Sequence, residues 1–326
     1  MYEDAFNDDD DCPIVDFQKA SLVLLFDTSN LLFRSAGNRE LAYLTTTGGR
    51  PSGHVFNFYK MLLGYWNRYA EFGETALVFG LDHVGGKETR QKIFPDYKAN
   101  RVEREDLCLE TLGIPQDQAF AEILECIDCL PHNKLEAVGF EFDDLASAII
   151  KQYPQKHFVL ISSDEDMWAL LGSNKNLTVV NRSGIVTNEQ LEDKYGLSNF
   201  GHVLNYKCLF GDTSDNIPNL LPNIKRKPII ETVIKPTATN ATGVLAMVNL
   251  LENGPSPKMQ TLLADATEKV QFIKRLTTNF KVVSFLEIIN ITAQIHTFTS
   301  GDKQELLRLI LDEYQCNSLV NSVPWF

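Results

Sequence analysis

Four short apolar runs, each followed by an acid, constrain this chain more than any other feature. Residues 21–26 (SLVLLF) lead into Asp27, 75–81 (TALVFGL) into Asp82, 135–140 into Glu141, and His157–Ile161 (HFVLI) into Asp164. Leu177–Asn181 (LTVVN) is a fifth run. Helical stripes lie between them. Val55, Phe58, Tyr59, Leu62, Leu63 and Trp66 recur at helical spacing, and Phe120, Ile123, Leu124, Ile127 and Leu130 mark a second stripe. A third helix is expected from Asp143 and Asp144 through Leu145, Ile149 and Tyr153. Runs that are apolar throughout, alternating with helices, fit a mostly parallel sheet covered on both faces. The expected class is α/β.

After about residue 196 the pattern turns helical, at 200–210, 228–234, 244–251, 259–276 and 305–314, with a loop at Pro255-Ser256-Pro257. At the other end, residues 1–20 are expected to be a solvated acidic arm. They are not basic and apolar, as a secretory signal is. No apolar run approaches the roughly 18 residues of a membrane span. Six cysteines in 326 residues are too few for a disulfide scaffold, so free thiols in a reducing cytoplasm are expected.

The net charge of −13 argues against a nucleic-acid partner until its placement is considered. Seven of the 43 acids precede residue 17, which leaves 36 acids against 30 bases. Nine of those 36 belong to the motif positions discussed next, where bound cations would neutralise them.

In an open parallel sheet, ligands sit beyond the C-terminal ends of the strands. Asp27, Asp82, Glu141 and Asp164 are therefore expected to converge. Glu141/Asp143 and Asp164/Asp166 are each spaced by two, which on extended backbone points both side chains the same way. Asp144 is an N-cap or a neighbour of the cluster. Any one Asp after a strand is more often a cap, but capping does not account for four such ends, two of them doubled. So many carboxylates raise one another's pKa unless a cation joins them. All-oxygen donors favour Mg²⁺ or Mn²⁺. Only His83 neighbours these acids, which disfavours zinc. Such a cluster suits two metals on a phosphodiester.

A basic stretch follows Asp82: Lys87, Arg90, Lys92, Lys98, Arg101 and Arg104, interleaved with Phe94 and Tyr97. Cations with aromatics suit a phosphate backbone and unstacked bases. Alone, such a run is more often a solvated face. Two other motifs carry less. Cys126-x-x-Cys129 falls on a predicted helix with no second pair, and Gly85-Gly86-Lys87 lacks the P-loop frame.

Together these residues resemble the 5′ nuclease, or flap endonuclease, superfamily. The likeness runs through LVLLFDTSN at 22–30, GRPSGHVF at 49–56, FPDYKANR at 94–101, EFDD at 141–144, SDED at 163–166 and GDTSDNIP at 211–218. Within the superfamily, 279–287 and 314–326 look most like the RNase H branch of T-even bacteriophages. The resemblance implies a PIN-like nuclease domain over 21–195, with a helical arch near 84–118. It implies a helical duplex-binding region over 196–326, with a helix–three-turn–helix. It implies hydrolysis at 5′ ends, flaps or RNA primers, leaving a 5′-phosphate and a 3′-hydroxyl. Asp27, Asp82, Glu141 and Asp143, with Asp144 close by, would hold a first metal. Asp164, Asp166, Asp212 and Asp215 would hold a second. Lys98 and Arg101 would contact the scissile phosphate, and Lys87, Arg90, Lys92, Tyr97 and Arg104 the DNA. The implied partners are branched or nicked duplex, a single-stranded 5′ flap, an RNA primer, and a single-strand-binding protein or sliding clamp. A monomer in the cytoplasm is expected, the host's if the chain is phage-encoded.

Two departures from the family pattern stand out. Residues 219–228 read NLLPNIKRKP where the family has a glycine turn that binds duplex backbone through K⁺. Non-glycine residues resist positive φ and proline removes a donor. A K⁺ site is therefore not expected, and Lys225, Arg226 and Lys227 would hold phosphate by charge. Thr89 also stands where the family often has an aromatic. Two other functions compete. A dehalogenase-like phosphatase needs D-x-D after its first strand, which Asp27-Thr28-Ser29 breaks. A catalytically weak replication-assembly protein would keep a costly unused acid cluster.

Overall fold

The computed structural model describes residues 14–70, 73–83, 85–101, 107–238, 240–286, 295–296 and 303–320. Arg104 and most of the acidic arm lie outside them. The elements are β1 (Leu22–Asp27), α1 (Thr28–Ala36), α2 (Gly53–Tyr69), β2 (Thr75–Gly80), α3 (Gly86–Gln91), α4 (Leu107–Leu112), α5 (Gln116–Asp128), β3 (Asn133–Leu135), α6 (Phe142–Gln152), β4 (His157–Ile161), a 3-10 helix (Glu165–Gly172), β5 (Leu177–Asn181), β6 (Gly184–Ile185), α7 (Asn188–Tyr195) and α8 (His202–Phe210). Then follow α9 (Arg226–Ile229) with a π-turn (Ile230–Ile234), α10 (Ala241–Glu252), α11 (Pro257–Ala264), α12 (Ala266–Val283), β7 (Ile295–His296), α13 (Lys303–Glu313) and α14 (Asn317–Val320).

One sheet organises the molecule, in the order β6-β5-β4-β1-β2-β3-β7. The five inner strands are parallel, and both edge strands are antiparallel to their neighbours. Alternate residues of β1 face different cores. Val23 and Leu25 join one, with α6, α8 and α12 behind them, while Leu22, Leu24 and Phe26 join the other, with α1, α2 and α5. Burial on both faces explains why the strands read as continuous apolar runs. The expected stripe of α2 is buried at all six positions.

Four expectations are corrected. The third strand is Asn133–Leu135, not 135–140. Beyond it the chain turns away, with Gly139 at φ 83°. Residues 14–20 are not a solvated arm, because Ile14 bridges to Thr75 and Phe17 is 1% exposed against Tyr153. The helix expected over 259–276 is two, broken at Asp265, whose carboxylate accepts from Thr267 N and Glu268 N at 2.9 Å each. Nor is the region after residue 196 helical throughout. β7 completes the sheet edge, and Leu307, Leu311, Tyr314 and Leu319 enter the core around α2 and α5. Arg50 fastens this return, bonding Glu122 at 3.2 Å together with Glu313 and Tyr314. Among the described residues no helix is long and apolar enough to cross a membrane.

Candidate active site

The parallel strands deliver their carboxyl ends to one side, where a cavity of about 830 Å³ opens. Asp27 is the last residue of β1 and caps α1, accepting from Asn30 N at 2.9 Å and from Ser162 Oγ at 2.7 Å. Asp82 follows β2 and accepts from Ser29 Oγ and from Phe142 N, both at 2.8 Å. It thereby ties the starts of α1 and α6 to the strand end. This packing needs a glycine at 80, since a Cβ there would lie 2.2 Å from the Phe142 ring.

Glu141 and Asp143 reach the cavity from the N-cap and first turn of α6, and Asp164 and Asp166 from the same places on the 3-10 helix. The spacing of two therefore does not act through extended backbone. It works because a cap residue and the first turn after it both face the strand ends. Asp212 and Asp215 come from the turn after α8. Gly211 sits there at φ 74°, and a Cβ on it would lie 2.4 Å from Ile217 O. Asp212 and Ile217 close the turn by two backbone bonds, at 3.0 and 2.7 Å.

Three cations are threaded among these acids. Arg90 bonds Glu141 at 2.9 Å, Asp143 at 3.0 Å and Asp144 at 2.8 and 2.9 Å. Lys98 Nζ bonds Glu141 at 2.5 Å and lies 4.0 Å from Asp215. Lys207 joins Asp166 and Asp212, the latter at 2.6 Å. Arg101 adds a bond to Asp215 at 3.1 Å. Burial alone would raise the Glu141 and Asp212 carboxyls, but the nearby lysines pull both below the ordinary range. Asp27, Asp82 and Asp164 have no cation within ion-pair distance among the described residues. Burial pushes Asp27 up to about 6 despite its two donors. Burial and the charge of Asp166 push Asp164 up to about 7.

The placement revises several expected roles. Arg90 is 1% exposed and fully engaged, so it is not a DNA contact. Tyr97 is also 1% exposed, its hydroxyl 3.0 Å from Glu141 and 3.3 Å from Asp215, so no base stacks on it. Asp144 is fully buried, held by Arg90 and by Leu286 N at 2.6 Å, so it braces the acids from behind rather than meeting an ion. Lys98 and Arg101 do line the cavity, and so does Arg226, whose guanidinium bonds Tyr206 Oη at 2.6 Å. Lys87, Lys92, Lys225 and Lys227 are exposed and lie off the cavity wall. Sequence reasoning missed Lys207. Its signal was a lone cation in the apolar helix HVLNYKCLF, five residues before Asp212.

The donor set fits divalent ions. It is all oxygen, and the carboxyls of Asp27 and Asp164 carry a protonation cost that a bound cation would remove. Among the described residues no group of three acids is drawn together as a preformed site. Arg90, Lys98 and Lys207 bridge the acids instead.

Residues 22–196 match the family of the 5′-3′ exonuclease N-terminal resolvase-like domain. A 5′-3′ exonuclease of Buchnera aphidicola is 28% identical over 204 residues, covering 62% of this chain and 66% of that protein. A thermostable DNA polymerase I of Thermus thermophilus is 30% identical over 209 residues, covering 63% of this chain and 23% of that one. The chain thus spans just under two thirds of the exonuclease relative and a quarter or less of the polymerase. A bacteriophage T5 flap endonuclease, solved with DNA and metal ions, superposes with a TM-score of 0.56 at 18% identity, covering 90% of this chain and 99% of the other. At that identity the likeness is one of fold. The family match spans more than half of the chain, so it belongs to the 5′-3′ exonuclease family with the N-terminal resolvase-like domain.

Proposed function

We propose that this protein is a divalent-metal-dependent 5′ nuclease. It hydrolyses phosphodiester bonds at 5′ ends and 5′ flaps of DNA and in RNA primers, leaving a 5′-phosphate and a 3′-hydroxyl. The observation that carries this reading is the convergence of Asp27, Asp82, Glu141, Asp143, Asp164, Asp166, Asp212 and Asp215 on one cavity that also holds Lys98 and Arg101. The inclusion of RNA rests on the resemblance of 279–287 and 314–326 to the RNase H branch.

Ions held by these acids supply Lewis acidity at the phosphodiester. The chain's own residues do the rest. Lys98 and Arg101, paired with Glu141 and Asp215 at the cavity wall, neutralise charge that develops on the phosphate. Lys98 holds its position at a cost, with φ 56°, a region that non-glycine residues rarely enter. Its N–H donates to Asp215 O at 3.0 Å, which ties the basic segment to the Asp212–Asp215 turn. Arg90 and Lys207 fix the acids in place.

In this reading residues 21–195 carry most of the chemistry, with Asp212 and Asp215 added from the region that follows, and 196–326 grip branched or nicked duplex. A single-strand-binding protein or sliding clamp is a partner implied by the replication role, in the cytoplasm of the cell or host. The test is cleavage of a 5′-labelled flap in Mg²⁺ and in EDTA, with product ends mapped. Equal cleavage in both sinks the metal dependence. No cleavage of flap, nick or primer in either sinks the nuclease.

A further inference from the structure

Beside the carboxylate cavity lies a smaller hollow of about 270 Å³, lined by Phe33, Arg34, Asn38, Asn57, Met61 and Arg182. The two share Phe33, so the hollow begins where the catalytic wall ends. Their chemistry is opposite. One is walled by acids, the other by two guanidiniums and two amides, with no acid among its lining residues.

One buried side chain orders the hollow. Asn57 on α2 is 5% exposed. Its amide donates to the carbonyls of Arg34 at 3.0 Å and Ser35 at 3.3 Å, and its oxygen accepts from Asn38 at 3.2 Å. These bonds lock the last turn of α1 onto α2 and so aim Arg34. The Arg34 guanidinium lies 5.9 Å from the Tyr65 ring centroid, and its Nη1 is buried without a hydrogen-bond partner among the described residues. Arg182 approaches from the turn between β5 and β6 and is exposed. Phe33, 54% exposed, is braced edge-on by Phe120 at 4.9 Å.

A buried guanidinium nitrogen with an unspent donor calls for an acceptor. Two guanidiniums lining one hollow match the oxygens of a phosphate, which guanidiniums bind as forks. The volume falls just below the ~300 Å³ at which small-molecule sites begin. A phosphate with its sugar fits there, and a duplex does not.

We propose that this hollow is a subsite for one backbone phosphate of the strand being cut, gripped by Arg34 and Arg182 on the far side of Phe33 from the acids. The proposal deepens the nuclease reading and rests on it. A strand leaving the carboxylate wall in this direction crosses the Phe33 ring and meets the two arginines. The same chemistry would also take free inorganic phosphate.

The test is a scan of 5′-flap oligonucleotides, each with one phosphate replaced by a neutral methylphosphonate, bound in EDTA and read by fluorescence anisotropy. Wild type is expected to lose roughly 5- to 10-fold in affinity at one or two adjacent positions near the cut, the scale of a lost charge-assisted pair. Arg182→Gln is expected to bind the unmodified flap weaker by a similar factor and to show no further loss at those positions. Arg34→Gln is expected to do the same. Arg182 sits on an exposed turn, so its variant keeps the test valid if Arg34→Gln loosens α1. Penalties that add at every position, or variants that bind like wild type, overturn the subsite. So does competition by millimolar inorganic phosphate that the variants abolish while no methylphosphonate position depends on them. Cleavage of unmodified flap in Mg²⁺ by the same preparation separates the two ideas. Position dependence without cleavage sinks the nuclease reading, and cleavage without position dependence sinks the subsite.

Discussion

Lys207 Nζ lies 2.6 Å from a carboxylate oxygen of Asp212. The same ammonium bonds Asp166, and its side chain is 7% exposed. Among the described residues no other cation pairs with either acid. Removing one member of a buried charge network costs about 3–5 kcal/mol, because the partners stay buried and uncompensated. Lys207→Met is therefore expected to lose stability on that scale in EDTA, measured by urea unfolding. Mg²⁺ is expected to restore more stability to the variant than it adds to wild type. An unchanged urea midpoint in EDTA would show that the lysine carries no structural charge.

Arg90 makes the complementary case. It looked like a DNA contact in the basic stretch, yet it forks into Glu141, Asp143 and Asp144. Lysine cannot reproduce that fork. Arg90→Lys is expected to destabilise by about 3 kcal/mol while leaving the salt dependence of flap binding unchanged. A slope shallower by about 0.9 would return Arg90 to the phosphate contacts.

Most of the sheet was legible because both of its faces are buried. Continuous apolar runs such as His157–Ile161 can only be inner strands here, and the acids after β1, β2 and β4 mark the edge where they end. Strands of two or three residues carry no such signal. β6 and β7 have two residues each, and β3 has three. The cavity's acids could be read from their motifs, but their support could not. Which cation faces inward depends on tertiary position. Sequence spacing places Arg90 and Lys87 on the same basic stretch, yet one is buried and the other exposed.

Asp143 and Lys98 separate chemistry from grip. Asp143→Asn is expected to abolish flap cleavage with little change in the Kd for flap DNA, since the binding cations lie elsewhere. Lys98→Ala is expected to lower kcat by roughly 10²-fold, as for the loss of one preorganised charge contact. Single-turnover rates and anisotropy on the same substrate check both. Cleavage by Asp143→Asn near the wild-type rate would overturn the assignment of the acids.

The raised carboxyls predict a pH dependence. Asp27, at about 6, binds its proton more tightly in the folded state than in the unfolded chain, where the value is near 3.8. Its contribution to stability is complete below about pH 4 and is lost as pH rises through about 6. Asp164 acts in the same direction and is more open to solvent. In EDTA, Asp27→Asn is therefore expected to lose less stability than wild type over that window. Divalent ions compete with these protons, so Mg²⁺ is expected to raise the Tm more above neutral pH than in acid. A Mg²⁺ effect that grows on acidification would contradict the fit of the site to a cation.

The last prediction concerns residues 219–228, where the family's glycines are missing. The turn still enters the left-handed region, at Asn223 with φ 63°, a residue type that tolerates it. Lys225 and Lys227 are exposed beside it. Arg226 instead turns to the cavity, 5.7 Å from the Tyr206 ring centroid and 5.3 Å from that of Phe210. The three cations are thus expected to separate. Each phosphate contact contributes about 0.9 to the slope of log K against log salt, so replacing all three by Ala should flatten it by up to about 2–3. Lys225→Ala and Lys227→Ala should act on nicked-duplex binding alone and with little sequence dependence, because backbone contacts carry no base information. Arg226→Ala should lower kcat as well. Exchange of Na⁺ for K⁺ at fixed ionic strength is expected to change little. A strong preference for K⁺ would mean that Asn223 restores the ion-binding turn that the sequence lacks, and an unchanged slope in the triple variant would leave the three cations as solvated surface.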